Sequence, residues 1–311
     1  RRTNNYEASI ATCNILLEQY AAGETPNLEK SLVWGFIELE RSLQDIKRYE
    51  DAIQISEQVF ERFGNSANTE TKNATAWAFV DKGSSYKYMQ KYEKAITVFT
   101  DFLNDFDRPA DMEIILPFKS KPDYNEAIAY SLREMGSCYR LLGNYEDALR
   151  TFDLSLGRFK KNFNKDIWME MIWCMSEKAY TLMKYGHSEE AIVLYESIIP
   201  TFTDEGICFY KEDFNSAIEG LGYCRLFQGK QASLDNNISR SKSFFDEALN
   251  KLQEVDNIDQ SAHTQGGLGY LAFINGDFEK AQNLISKAYS LKDGQVWIQE
   301  AVEDLKIFEI P

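Results

Sequence analysis

Residues that do covalent chemistry are scarce in this 311-residue sequence. It holds no Gly-x-Ser-x-Gly elbow, no His-Glu-x-x-His pair, no Walker loop and no dinucleotide fingerprint. The two histidines, His187 and His263, are far apart, and His187 falls at a turn between two helices, where a solvated or capping role suffices. The string Gly266-Gly267-Leu268-Gly269-Tyr270 superficially suggests a phosphate loop, but its glycines coincide with positions where helices pack closely. Paired acids, Glu146-Asp147 and Glu189-Glu190, open helices and complement their dipoles. No catalytic set, metal site or cofactor is therefore expected. The residues with a chemical use are suited to recognition instead. Trp34, Trp77, Tyr130 and Trp173 recur in one register, accompanied by Arg41, Lys87, Arg133, Arg140 and Lys184 and by Tyr88, Tyr180, Tyr223 and Tyr270. Aromatic faces anchor apolar groups and stack on cations, while guanidinium and ammonium groups pair with carboxylates. Such a set would grip an extended peptide or a carboxylate-bearing protein partner.

The register comes from an internal repeat. Arg48-Tyr-Glu-Asp-Ala-Ile53 is followed by Lys91-Tyr-Glu-Lys-Ala-Ile96, Asn144-Tyr-Glu-Asp-Ala-Leu149, His187-Ser-Glu-Glu-Ala-Ile192 and Asp277-Phe-Glu-Lys-Ala-Gln282. Its alanines, Ala52, Ala95, Ala148, Ala191 and Ala281, are separated by steps of 43, 53, 43 and 90 residues. The last step holds one further degenerate unit, so six units are expected over residues 28–291. With six prolines and apolar residues recurring at three and four, the chain reads as all-α. In the third unit Leu132, Met135, Gly136 and Tyr139 share a face of one helix, Gly143-Asn144 turns the chain, and Tyr145, Ala148, Phe152 and Leu156 line the next. Small residues (Gly83, Gly136, Gly222 and Gly269, opposite the alanines) let the helices approach.

This pattern resembles the tetratricopeptide repeat family, in a long-period, bacterial-type form. The resemblance covers nearly the whole chain and implies a right-handed superhelical solenoid of antiparallel helix pairs, with first helices on the concave face. The aromatic and cationic register above then lies on that face. The family's clamp for acidic chaperone tails is not reproduced: its asparagine places hold Ser84 and Ser137, and Arg133 alone matches its cations. Three readings of function follow. The first is a non-enzymatic protein- or peptide-binding scaffold. The second is the sensor or regulatory part of a larger enzyme or signalling protein. The third is the peptide-pheromone receptor domain of a bacterial regulator.

Residues 1–22 read as a half repeat, a second helix without its first, and residues 295–308 as a capping helix. Two stretches break the period. Asp107–Pro122, with Pro109, Pro117 and Pro122, reads as an ordered loop packed against neighbouring helices or as a flap over the groove, and Gln228–Lys242 as a polar exposed insertion. The loop between the first two units is placed at Glu61–Asn73. A net charge of -15 gives no footprint for nucleic acid or an anionic membrane. The five scattered cysteines read as buried thiols in a reducing, cytoplasmic setting, and no apolar run is long enough to span a bilayer.

Overall fold

The structure, a computed structural model, describes residues 7, 10–15, 26–106, 124–160, 164–202, 211–255 and 261–291. Among them the chain is helical, with no strand, and runs as six consecutive hairpins. These pair α1 (Pro26–Asp45) with α2 (Tyr49–Phe63), α3 (Thr69–Tyr88) with α4 (Tyr92–Phe106), and α5 (Asn125–Leu141) with α6 (Tyr145–Phe159). They continue with α7 (Lys165–Tyr185) and α8 (Ser188–Ile198), α9 (Lys211–Leu234) and α10 (Ile238–Gln253), and α11 (Ala262–Ile274) and α12 (Phe278–Ser290). The 107–122 segment and the 295–308 helix expected from the sequence lie outside the described residues. Of the 1–22 half repeat, residues 10–15 are helical, and Ile10 is buried against the core formed with α1 and α2.

Each hairpin closes in the same way. The first helix ends in a residue with left-handed backbone: Lys47, Gln90, Gly143, Gly186, Asn236 and Gly276, with φ between 56° and 94°. The following N–H reaches back to the carbonyl five residues earlier, as from Asn144 to Tyr139 at 2.9 Å, while Gly143 N–H donates to Arg140 at 2.9 Å. All six turns share this pair of bonds. It is the Schellman arrangement, which satisfies carbonyls that a helix end leaves without partners. A turn this short forces the two helices to run antiparallel. The starts of α3 and α11 are capped by side chains, Asn68 accepting from the N–H groups of Glu70 and Thr71, and Ser261 from Thr264.

Inside the hairpins the two helices close on a recurring contact. Ala52, Ala95, Ala148, Ala191 and Ala281 are all buried. Gly136 lies under the ring of Phe152 so closely that a Cβ there would sit 2.5 Å from Cε1; Gly83 meets Phe99 and Gly229 meets Phe245 at the same distance. Gly269 meets Ile285 likewise, at 2.8 Å.

The fifth hairpin differs from the sequence expectation. Gln228–Lys242 is not an insertion: residues to Leu234 are the last turns of α9, and Ile238 opens α10. Its marker position holds Ser241, buried, whose hydroxyl donates to the Gly229 carbonyl at 2.9 Å. Serine is small enough for the alanine place, and the polar run is the exposed flank of a longer helix pair. The close-approach glycine is accordingly Gly229, whereas Gly222 packs against Leu252. Similarly, most of Glu61–Asn73 is helix, and only 64–68 connects α2 with α3.

By contacts the chain divides into two compact units, Arg1–Met171 and Ile172–Pro311. In the first, α1 packs on α3 and α3 on α5, while α2 and α4 each pack between two successive first helices. In the second, α9 packs on α11, and α10 lies against both. First helices thus touch one another along one side of each unit.

Candidate functional site

The expected recognition residues of the first unit stand along α1, α3 and α5. Trp34 and Trp77 are half-buried against the cores of their own helices. Trp77 meets Tyr130 edge-on, with ring centroids 5.8 Å apart, and the Arg41 guanidinium lies 5.5 Å from the Trp77 ring. Arg133 covers Tyr130 at 4.7 Å. Tyr88, exposed, stacks on Tyr49 at 5.6 Å. These aromatics and cations form one continuous strip because the first helices that carry them are in contact.

The cations are already paired. Arg41 Nε donates to Asp81 at 2.9 Å, Lys87 Nζ to Glu134 at 2.7 Å, and Arg133 to Glu134 at 2.5 Å and Glu170 at 2.9 Å. Gln44 adds bonds to the Asp81 carbonyl at 2.7 Å and to Ser85 at 2.8 Å. Each link except Arg133–Glu134 runs from one hairpin to the next, so the strip is an ion-pair ladder that ties successive first helices together. Its centre is shielded, since the side chains of Arg133, Glu134 and Glu170 are 13%, 6% and 7% exposed. Burial works against the Arg133 charge, but Glu134 and Glu170 outweigh it and hold the guanidinium firmly protonated. Burial raises the hydroxyl pKa of Tyr130 well above its ordinary value, with Glu134 adding to it, so this phenol stays neutral.

Sequence reasoning found the cations and missed these carboxylates. A signal existed for two of them: Asp81 and Glu134 share a register with Glu38 and Glu177, fourteen residues before Ala52, Ala95, Ala148 and Ala191, whereas Glu170 lies outside it. Arg140 is a correction. It is 6% exposed and lies near the turn beside Tyr92, where it cannot face a partner.

In the second unit Trp173, Tyr180 and Lys184 are half-buried on α7, with Lys184 Nζ 6.0 Å from the Tyr180 ring. Tyr223 and Tyr270 are also corrections, being 1% and 7% exposed. Tyr223 reaches the space beside Gly267 of α11, and Tyr270 packs edge-on against Phe245 at 6.0 Å. Both fill the seam between hairpins, because the wide aromatic register of a long first helix extends into its packing face. His187 takes no side-chain capping bond; its Nδ1 pairs with Glu190 at 2.9 Å and its ring stacks on Tyr185. Among the described residues no group of three His, Cys, Asp or Glu is placed to hold a metal ion, and no helix is long and apolar enough to cross a membrane.

Comparison with known proteins places this architecture. No family model and no curated protein matches the sequence. Solved structures do match. One is a tetratricopeptide repeat protein from Parabacteroides merdae ATCC 43184 (TM-score 0.56, 15% identity), covering 97% of this chain and 93% of that one. Another is the apo form of RapI (TM-score 0.54, 12% identity), covering 96% of this chain and 93% of the other. A third is NprR in complex with its cognate peptide NprX (TM-score 0.57, 10% identity), covering 98% and 83%. The fold is that of the tetratricopeptide repeat proteins, a solenoid of helix pairs.

Proposed function

We propose that the chain is a non-enzymatic scaffold that docks an extended peptide along the first helices of its first unit. The observation that carries this reading is the row of half-buried aromatics, Trp34, Trp77 and Tyr130, on successive first helices, with Tyr88 exposed at its edge. Such rings supply area at small entropic cost, and anchors of this kind dominate recognition. Since Arg41, Lys87 and Arg133 already hold carboxylates, a partner's acidic groups would have to displace buried ones. The partner is therefore read through apolar side chains and backbone groups more than through its charge. The likeness to NprR, whose structure holds a peptide, favours a short linear ligand over a folded surface. A regulatory or peptide-receptor domain would use the same face.

Random-peptide display on the immobilised chain tests this. Enriched peptides should lose about tenfold or more in affinity with Trp77→Ala, the loss of roughly 1.4 kcal/mol expected for an anchor. Val193→Ala, exposed on a second helix, should change nothing. Equal binding to wild type and Trp77→Ala would end the proposal.

A further inference from the structure

The α1–α2 hairpin departs from the others at one packing pair. Where α3, α5, α9 and α11 place Gly83, Gly136, Gly229 and Gly269 against Phe99, Phe152, Phe245 and Ile285, the same positions hold Glu40 and Ser56. Both are 0% exposed. A small residue and a large apolar one have been exchanged for a carboxylic acid and a hydroxyl of similar joint volume, so the seam stays filled and becomes titratable.

The Glu40 carboxyl has little to hold a charge with: the Ser56 hydroxyl is its one hydrogen-bonding neighbour in the seam. Ser56 Oγ is in hydrogen-bond reach of both Glu40 Oε1 and the Ala52 carbonyl, the latter at 3.3 Å. A hydroxyl has a single hydrogen. Ser56 donates to an ionised Glu40, the one bond that opposes neutralisation; when Glu40 is neutral its own hydrogen can close that contact while the hydroxyl turns to the Ala52 carbonyl. Glu40 Oε2 has no hydrogen-bond partner. An ionised carboxylate buried with one donor at most is strongly disfavoured.

The charges around it do not rescue ionisation. From α1 comes Arg41, whose Nε is committed to Asp81 at 2.9 Å. From α3 come Asp81, which repels, and Lys82, which is paired with Glu57 of α2 at 3.0 Å. Burial first, and Asp81 second, hold the Glu40 carboxyl well above the usual carboxylate range.

We propose that Glu40 is a buried protonation site that seals α1 against α2 and α3 as a neutral acid, and that its ionisation loosens this hairpin and the Arg41–Asp81 end of the ladder. A proton held more tightly in the folded chain than in the open one gives stability that is complete below the ordinary carboxylate range. It is lost progressively as pH rises towards the titration of Glu40 itself, by up to about tenfold in the opening constant per pH unit. The consequence for docking rests on the function proposed above; the protonation site does not.

Infrared difference spectroscopy of the full chain provides the direct test. A protonated-carboxyl band should be present at neutral pH and absent in Glu40→Gln; no such band, or one that survives the substitution, overturns the proposal. Hydrogen-exchange protection of α1 and α2, corrected for intrinsic rates, should fall with pH in the wild type and lose that component in Glu40→Gln. Identical profiles would also overturn it. If Glu40→Gln fails to fold, Glu40→Gly combined with Ser56→Phe restores the pair used by α3 and α4 and should show neither band nor slope. If the band behaves as expected but the affinity of a displayed peptide ignores pH, the coupling to the docking face is wrong and the protonation site stands.

Discussion

Gly136 and Phe152 show how a single residue controls this fold. The ring fills the space that any side chain at position 136 would occupy, at 2.5 Å from an ideal Cβ. Gly136→Ala should therefore destabilise the chain by about 1–3 kcal/mol through overpacking, despite the better helix propensity of alanine. Urea denaturation would measure this, and a neutral or stabilising result would mean that the seam is looser than its geometry. Gly83, Gly136, Gly269 and the alanines were legible in the sequence because their spacing repeats, whereas Gly222 was read in the place that Gly229 holds. A change of chemistry within a repeat is harder to see. Here Glu40 and Ser56 broke the pattern at both places at once, so no outlier stood against an intact partner. Ser241 was missed for the opposite reason: it fills the place of alanine under another letter.

At the scale of elements, the first helices carry two systems on one surface, and only one was visible beforehand. Aromatics and cations drew notice because they are unusual in an acidic chain; the carboxylates that neutralise them did not, because acids are abundant everywhere in it. Arg133 is the joint of the ladder, bonded to Glu134 of its own helix and Glu170 of the next first helix. Removing it by Arg133→Met should cost about 3–5 kcal/mol, since Glu170 is left charged in a shielded place. The loss should be greatest at neutral pH and shrink on acidification, as Glu170, whose carboxyl burial already holds above its usual range, takes up a proton. Adding Glu170→Leu should recover much of it. Thermal melts at two pH values would check both outcomes, and a loss that grows on acidification would contradict them. Arg140, Tyr223 and Tyr270 illustrate the limit of register: a helix face is about a hundred degrees wide, and whether its margin faces solvent or the next hairpin depends on packing that one sequence does not reveal.

For the whole molecule, the repeat explains why so much of the architecture could be read while a function could not. Recurrent letters record how hairpins stack, and stability in such arrays is a sum of units and their nearest-neighbour contacts; what distinguishes one array from another lies in positions that do not recur. The uniform left-handed turn has a practical consequence for engineering. Within each hairpin the connection is fixed by two hydrogen bonds and one unusual backbone conformation, whereas the connection at 64–68 has no such repeated form. Length changes should thus be tolerated at 64–68 and not inside the hairpins. A short Gly-Ser segment grafted after Asn65 should leave the melting temperature within a few degrees of wild type, while the same graft after Gly143 should abolish cooperative melting of the hairpin that contains it. Labels or ligand-binding inserts therefore belong at 64–68 and not in the hairpin turns.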